Sequence, residues 1–395
     1  MSERFDAGAF VRNKIQEVRS TVGRQMVLLA CSGGVSSNVA AAIIQRATNG
    51  ANVIPVFVDT GFLRKNEADT VSETIKRAPL KLPLKVIDAR KRVMKSVEQA
   101  ETAIEKRKAF YETFYTILRE LGEGEEAKLV VFGTSAKNST AIDQPSITSL
   151  KELFTRHSLQ VIEPLGALSR QQVLNVAENL ELPPRLSDLN PFPAPGLLIR
   201  VVGRVNDERL KEAREANAIV EDEFQYIKPT QCLAAIIENK DDDDVNIDRI
   251  RERISDFLDV GSNQVDLKIP RSEVAGLRKE KRVYMKVSAS RVTLLGSKEI
   301  FEPDHDDLVD FPVEFVEKQK EFTRCLYNVT KKPKNGKYLA VIRAILTDDF
   351  SRANVAKLDW SKLYTISERI MDKCGKVGSV YYDVTPKPPA TVELE

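Results

Sequence analysis

Hydrophobic and polar positions follow two alternating periods along the first half of the chain. Short continuous apolar runs, which are typical of strands buried on both faces of a parallel sheet, occur at 26–31, 52–59, 82–89, 128–134 and 159–165. Between and around them, apolar residues recur at helical spacing at 9–23, 38–47, 64–78, 97–121 and 169–180. The repeated alternation of strand and helix predicts an α/β fold, in which helices on both faces cover a five-stranded parallel sheet.

The second half of the chain has a different pattern. Predicted helices at 207–223, 247–258 and 360–373 are mixed with segments that alternate like half-buried strands. The Pro- and Gly-rich stretch NPFPAPG (190–196) closes the first half. We therefore expect two domains, an α/β domain at 1–203 and an α+β domain at 204–395.

Composition narrows the class of protein. The 395 residues carry 60 Lys+Arg against 58 Asp+Glu, and this near balance gives no strong field that would recruit nucleic acid or an anionic membrane. No apolar run reaches the ~18–20 residues of a membrane span, and we see no secretory signal. Two histidines and four cysteines, without CxxC or HxxxH spacing, argue against zinc sites and a disulfide scaffold. We expect a reduced, cytoplasmic protein that binds neither membrane nor nucleic acid.

The segment between the first predicted strand and the next helix has the composition of an anion site. Two consecutive glycines let the backbone approach a ligand, and the serines add hydroxyl donors. The N-terminal end of the following helix favours negative charge at the same place. We call this segment the phosphate loop; its residues are Ser32, Gly33, Gly34, Val35, Ser36 and Ser37. The composition of this loop predicts that it binds a pyrophosphate group. The alternative interpretation is a turn of small residues that only packs a strand against a helix.

The phosphate loop resembles the loop of the N-type ATP pyrophosphatase (PP-loop) group. Further segments along the chain are VFVDTGFLRKNE (56–67), EKRKAFYETF (105–114), VFGT (131–134), VIEPL (161–165), the stretch 180–205 and YYDVTPKPPATVELE (381–395). Together and in this order, they resemble GMP synthetase, and the resemblance covers nearly the whole chain. The region of about 225–335 resembles the family least and is a candidate for an insertion in the C-terminal domain.

The resemblance implies a reaction and the residues that serve it. The family adenylates the C2 oxygen of xanthosine monophosphate with ATP and releases pyrophosphate, and ammonia then displaces AMP to give GMP. By the resemblance, the phosphate loop holds the ATP phosphates, while Phe57, Asp59 and Gly133 line the adenosine and Asp59 is a candidate Mg²⁺ ligand. The residues that match the family's acceptor-nucleotide site are Pro193, Pro195, Gly196, Arg200, Lys387, Thr391 and Glu393. Without the resemblance, NPFPAPG would be interpreted as a rigid linker and KPPATVE as a docked tail.

The resemblance also implies partners. The family's C-terminal domain builds a dimer, so we expect a homodimer. Glutamine hydrolysis needs a nucleophilic Cys with a His base, and neither histidine has such a partner in its sequence context. Ammonia is therefore expected from a separate glutamine amidotransferase subunit or from free ammonium.

Three departures from the family pattern concern Mg²⁺ and catalysis. Ser36 and Asn138 stand where the family has aspartates, and neutral residues replace the anionic oxygens that Mg²⁺ prefers. The family's IKSHHN lid stretch has no counterpart between Thr140 and Gln160. Asp143 is a candidate replacement ligand, and no catalytic residue is assigned.

Three functions remain open on the sequence. The first is an active ligase, and the second is a catalytically impaired nucleotide-binding paralogue. The third is a PP-loop enzyme with another acceptor such as tRNA. Cys31, directly before the phosphate loop, would serve sulfur transfer in that third function, but a cysteine at a strand end is more often a small buried apolar residue.

Overall fold

A computed structural model describes residues 5–135, 147–183 and 190–395. The chain divides into two compact units, which we call the first unit (Met1–Glu98 with Ile104–Pro195) and the second unit (Gln99–Ala103 with Gly196–Glu395). The domains at 1–203 and 204–395 stay a prediction. Within the described ranges, no helix combines the length and the apolar character needed to cross a membrane.

The first unit is built around a parallel sheet. Its strands are β1 (Val27–Ala30), β2 (Val53–Asp59), β3 (Lys85–Asp88), β4 (Leu129–Val131) and β5 (Gln160–Ile162). They are ordered β3-β2-β1-β4-β5, and every neighbouring pair is parallel. The helices are α1 (Ala7–Val22), α2 (Val35–Thr48), α3 (Glu67–Lys76), α4 (Arg90–Val97), α5 (Ala103–Gly124), α6 (Ile147–Thr155) and α7 (Arg170–Asn179). The predicted α/β fold with a five-stranded parallel sheet is confirmed.

The core of the first unit explains why the apolar runs form these elements. Leu29 of β1 is fully buried, and it belongs to one hydrophobic cluster with Val18 of α1, Ile43 of α2 and Val173 of α7. Each of these side chains comes from the apolar stripe of its helix or from a strand without polar positions, so burial removes them from water together.

One predicted helix in the first half of the chain begins too early. The sequence pattern predicts a helix at 97–121, whereas α5 begins at Ala103, and the preceding helix α4, which ends at Val97, was not predicted. Val97, Ala100 and Ala103 are all buried, so the apolar spacing of three continues through the break. Periodicity alone therefore does not reveal the interruption.

The second unit contains a mixed sheet. Its strands are β6 (Gln231–Glu238), β7 (Val265–Lys268), β8 (Val274–Arg278), β9 (Lys281–Val292), β10 (Phe322–Asn328), β11 (Tyr338–Leu346), β12 (Asn354–Val355) and β13 (Val377–Asp383). The main order is β12-β11-β13-β10-β9-β7, with β6 paired to β11 and β8 to β9. The β9–β10 and β11–β13 pairs are parallel, and the remaining pairs are antiparallel.

Four α-helices accompany the mixed sheet: α8 (Asp207–Glu223), α9 (Ile247–Leu258), α10 (His305–Lys318) and α11 (Trp360–Lys373). Two short 3-10 helices span Gly196–Arg200 and Ser262–Gln264. The predicted α+β architecture of this half is confirmed, although α10 and the strands β6, β7, β8, β10 and β12 were not predicted.

Candidate nucleotide site

The phosphate loop connects β1 to α2 at the carboxyl edge of the parallel sheet. Helix α2 begins at Val35, so Ser36 and Ser37 lie in its first turn. Gly33 has a φ of +82°, and a Cβ there would lie 2.3 Å from Cγ2 of Val71 in α3. Both the backbone conformation and this close approach require glycine at position 33. On either side of Gly33, the loop residues Ser32 and Gly34 are exposed to solvent.

Two buried side chains hold the carbonyl groups of the phosphate loop from inside. The Ser37 hydroxyl donates to the Gly34 carbonyl oxygen at 2.9 Å and accepts from the Ser32 N–H at 3.3 Å. Asn38 Nδ2 donates to the carbonyl oxygens of Gly33 and Gly34, at 2.8 and 3.1 Å. Asn38 was not among the predicted site residues. The available signal was a polar side chain at the start of an Ala- and Ile-rich helix.

Gly133, predicted to line the adenosine, lies against the phosphate loop. A Cβ at this position would be 2.5 Å from Cα of Ser37 and 2.7 Å from the carbonyl oxygen of Ser36. The chain that leaves β4 therefore contacts the backbone of the first turn of α2. The next residue, Thr134, donates its hydroxyl hydrogen bond to the carboxylate of Glu163, which follows β5. Because Gly133 has no side chain, the main chain after β4 can lie directly against the phosphate loop.

Asp59 and Phe57 lie at and near the carboxyl end of β2. The Asp59 carboxylate accepts a hydrogen bond from the Gly61 N–H at 2.9 Å, and its other oxygen is 3.8 Å from Nε of Arg90. Asp59 thus shapes the turn after β2 and faces a cation. Phe57 is only 3% exposed and belongs to the hydrophobic core, so its predicted contact with adenosine would involve its main chain.

The donor set around the phosphate loop suits an anion better than a metal ion. Its available groups are N–H groups at a helix N-terminus and serine hydroxyls, which favour negative charge. Among the residues that the structure describes, no group of three or more His, Cys, Asp or Glu side chains is placed to hold a metal. Asn138 and Asp143 lie outside the described residues. The described part of the site therefore does not fit a protein-held Mg²⁺ ion.

Arg200 and Glu393, two of the predicted acceptor residues, form a buried ion pair in the second unit. Arg200 is fully buried and donates from Nε and Nη2 to the two carboxylate oxygens of Glu393, at 3.1 and 3.0 Å. Gln231 also donates to Glu393, at 2.9 Å, and Asn217 accepts from Arg200 at 2.7 Å. Gln231 and Asn217 were not predicted, since nothing in the local sequence marks their distant partner.

Thr391 and Lys387 lie in a tail that is docked on the second unit. Arg324 Nη2 donates to the Thr391 hydroxyl and carbonyl oxygens at 2.6 and 2.8 Å. Lys387 donates to the Phe350 carbonyl oxygen, and burial, together with the charges of Arg282 and Arg343, lowers its pKa. Main-chain bonds from β8 to Pro389 and Leu394 complete the docking. A docked tail, the alternative interpretation of KPPATVE, is thus a property of this structure.

Asp383 lies between two buried arginines close to the same tail. Its carboxylate pairs with Arg324 and with Arg343, whose Nη1 lies 2.8 Å away, and all three side chains are at most 1% exposed. Burial lowers the pKa of Arg324 to about 10, although Asp383 opposes this shift. One carboxylate thus serves two guanidinium groups, and this cluster has a surplus of positive charge.

The remaining predicted acceptor residues are divided between the two units. Pro193 and Pro195 belong to the first unit, and Gly196, with a φ of +58°, begins the short helix that carries Arg200. In the first unit, the guanidinium of Arg64 lies 4.0 Å over the ring of Phe192 and donates to the Asn190 carbonyl oxygen. Arg64 therefore holds the start of the NPFPAPG stretch, a role that sequence reasoning missed.

A strand order of β3-β2-β1-β4-β5, with a glycine-rich loop between β1 and α2 at the switch point, defines a nucleotide-binding α/β protein of the PP-loop class. Residues 334–394 match the GMP synthase C terminal domain. A subunit of the glutamine-hydrolyzing GMP synthase of Saccharolobus islandicus is 33% identical over 404 residues, covering 99% of this chain and 100% of that protein. The chain belongs to this family of GMP synthase subunits.

Other comparisons extend the range of relatives. The corresponding subunit of the glutamine-hydrolyzing GMP synthase of Methanocella arvoryzae is 29% identical over 402 residues, covering 99% of each chain. Among solved structures, an NH3-dependent NAD synthetase from Campylobacter jejuni is 19% identical with a TM-score of 0.39, covering 46% of this chain and 76% of that one. Membership of the family thus rests on sequence similarity along the whole chain.

Proposed function

We propose that this chain is the ATP-dependent synthetase subunit of a two-subunit GMP synthase, a carbon–nitrogen ligase of purine biosynthesis. The observation that carries the proposal is a phosphate loop of fixed shape in a chain that matches GMP synthase subunits over 99% of its length. The substrates are ATP, xanthosine monophosphate and ammonia.

The reaction proceeds in two displacements. The C2 oxygen of xanthosine monophosphate attacks the α-phosphorus of ATP, and the bond from that phosphorus to the β-phosphate bridging oxygen breaks, so pyrophosphate leaves. Ammonia then attacks C2 of the adenylated base and loses a proton, and AMP departs with the former C2 oxygen. The phosphate loop contributes N–H and hydroxyl donors to the leaving pyrophosphate, where negative charge increases in the transition state.

The adenosine and acceptor sites complete the proposal. Asp59, the main chain at Phe57 and the region of Gly133 line the adenosine. The acceptor nucleotide is bound by Pro193, Pro195, Gly196, Arg200, Lys387, Thr391 and Glu393. Lys387 is suited to the phosphate monoester by charge-assisted hydrogen bonding, and the Glu393 carboxylate, oriented by Arg200 and Gln231, accepts from a base or ribose donor.

The partners and location follow from the same family. A separate glutamine amidotransferase supplies ammonia; the relatives are named as subunits of a glutamine-hydrolyzing enzyme, which supports this partner. We further propose a homodimer formed through the second unit and a cytoplasmic location, which agrees with four buried cysteines that form no disulfide. Size-exclusion chromatography with light scattering tests the dimer, and a monomer at all concentrations would contradict it.

The test of the reaction is pyrophosphate release with ATP, Mg²⁺ and xanthosine monophosphate. We expect release with ammonium but none when glutamine replaces it. If calorimetry shows ATP binding while pyrophosphate is absent, the chain is the catalytically impaired paralogue, for which Ser36 is the motivating residue. Pyrophosphate release with tRNA in place of xanthosine monophosphate would instead support another acceptor.

A further inference from the structure

Two carbonyl oxygens of the phosphate loop, those of Gly33 and Gly34, accept hydrogen bonds from within the protein. Asn38 and the Ser37 hydroxyl together direct three hydrogen bonds at the carbonyl oxygens of Gly33 and Gly34. The Gly34 oxygen also accepts the helical N–H of Asn38 at 3.1 Å. These oxygens are the main-chain groups that would otherwise serve a hard cation as ligands. Because these two oxygens accept hydrogen bonds from within the protein, we expect the loop to present mainly N–H groups and the hydroxyls of Ser32 and Ser36 to a ligand.

Two side-chain oxygen groups of described residues near the loop, those of Asp59 and Asn38, are also poor ligands for Mg²⁺. Asp59 already accepts the Gly61 N–H and faces Arg90, whose guanidinium lowers the gain from a second cation. Asn38 Oδ1 has no hydrogen-bond partner among the described residues, but it is buried out of solvent's reach. Mg²⁺ keeps several waters when it binds a protein, so a buried amide oxygen does not serve it.

We infer that the phosphate loop binds the polyphosphate of ATP directly as an anion, so that the affinity for ATP does not depend on Mg²⁺. The inference rests on the proposed function's placement of ATP at this loop and concerns binding, with Mg²⁺ entering only as part of the substrate. Ser36 is the position that sets this behaviour, because it is half-buried in the first turn of α2 and carries no charge.

The charge of ATP determines whether removing Mg²⁺ raises or lowers the affinity. Free ATP carries more negative charge than its Mg²⁺ complex, and a site of N–H donors at a helix N-terminus interacts more strongly with the higher charge. Removing Mg²⁺ therefore leaves the affinity unchanged or increases it. A site whose affinity depends on a protein-held metal would lose ATP under the same condition.

The experiment is calorimetric titration of the full chain with ATP, once with excess EDTA and once with excess Mg²⁺. For the wild type we expect dissociation constants that agree within about threefold, or tighter binding in EDTA. Ser36→Asp places a carboxylate beside the phosphates, so it should weaken binding in EDTA by about tenfold or more, and Mg²⁺ should restore it. Ser36→Ala is the matched control and should change the affinity by the same factor in both buffers.

Each result bears on a different statement. Wild-type binding that is more than about threefold tighter with Mg²⁺ overturns this inference and leaves the nucleotide site in place. Absence of ATP binding in both buffers overturns the proposed function itself. The wild-type comparison needs no variant to fold, and inorganic pyrophosphate, titrated in the same two buffers, checks that the effect belongs to the phosphates rather than to the adenosine.

Discussion

The two units hold their candidate site residues in place in different ways. In the first unit, the phosphate loop is shaped by glycines and by neutral side chains that hold its carbonyl groups. In the second unit, charged side chains are buried against one another: Arg200 with Glu393, and Arg324 and Arg343 with Asp383. The loop should therefore be sensitive to added volume, and the second unit to lost charge.

The largest effect is expected at Asp383, where the second unit concentrates buried charge. Asp383→Asn leaves two buried guanidinium groups without a counter-charge, which should lower the free energy of unfolding by about 3–5 kcal/mol. Urea unfolding of the variant and the wild type measures the loss. Glu368→Gln, which breaks an exposed pair with Lys331, is the control and should cost about 0–1 kcal/mol. Equal losses of unfolding free energy in the two variants would contradict the claim that burial makes the Asp383 cluster more important than an exposed ion pair.

The corresponding test of the first unit adds a single methyl group. Gly133→Ala places a Cβ 2.5 Å from Cα of Ser37, so β4 and the phosphate loop must move apart. We expect a stability loss of about 1–3 kcal/mol and a loss of ATP affinity. Calorimetry and urea unfolding measure the two effects. Gly124→Ala, where a new Cβ meets nothing within 4 Å, should leave ATP binding unchanged; an equal drop there would refute the steric explanation.

A smaller effect should follow from removing the inner hydrogen bonds of the loop. Asn38→Ala frees the carbonyl groups of Gly33 and Gly34, at about 0.5–1.5 kcal/mol for each lost bond. ATP affinity should fall by about tenfold, since about 1.4 kcal/mol is a factor of ten. Ser20→Ala removes an exposed hydroxyl bond on α1 and should leave the affinity unchanged. If ATP binds both variants equally well, Asn38 does not position the loop.

The smallest effect concerns Cys31, directly before the phosphate loop. Burial raises the pKa of its thiol to about 12, from an ordinary value of 9.0. The folded state therefore favours the neutral thiol, so this group's contribution to stability is complete below pH 9 and is lost as the pH rises from 9 to about 12. At a pH of about 8, iodoacetamide should label Cys31 in urea but not in the native chain. Rapid native labelling would revive a sulfur-transfer role for this residue.

The sequence predicts most of the first unit because its elements follow from local periodicity. Apolar runs of strand length locate β1 to β5, and the small residues after β1 locate the phosphate loop. The break between α4 and α5 is not predicted from the sequence, because buried residues at 97, 100 and 103 keep the helical spacing across it. Local pattern reports which face is apolar but not where the main chain turns.

The contacts that shape the candidate site could not be predicted from the sequence for a different reason. Arg200 and Glu393 are 193 positions apart, and Gln231 is 162 positions from Glu393, so only tertiary structure brings them together. The close approach of Gly133 to Ser37 is likewise a property of neighbouring strands β1 and β4. The resemblance to a family selected Arg200, Glu393 and Gly133 as candidates, but their partners emerged only from the fold.

In the phosphate loop, the residues that set the shape of the main chain differ from the residue that sets the local charge. Gly33, Asn38 and Gly133 set its shape, and none of them carries charge. The Ser36 side chain takes no part in the hydrogen bonds that hold the carbonyl groups of Gly33 and Gly34. A substitution at Ser36 therefore changes the local charge while these hydrogen bonds remain. If the loop binds ATP as proposed, a single-codon change at Ser36 would alter the preference between free and Mg²⁺-bound nucleotide while the hydrogen bonds that shape the loop stay in place.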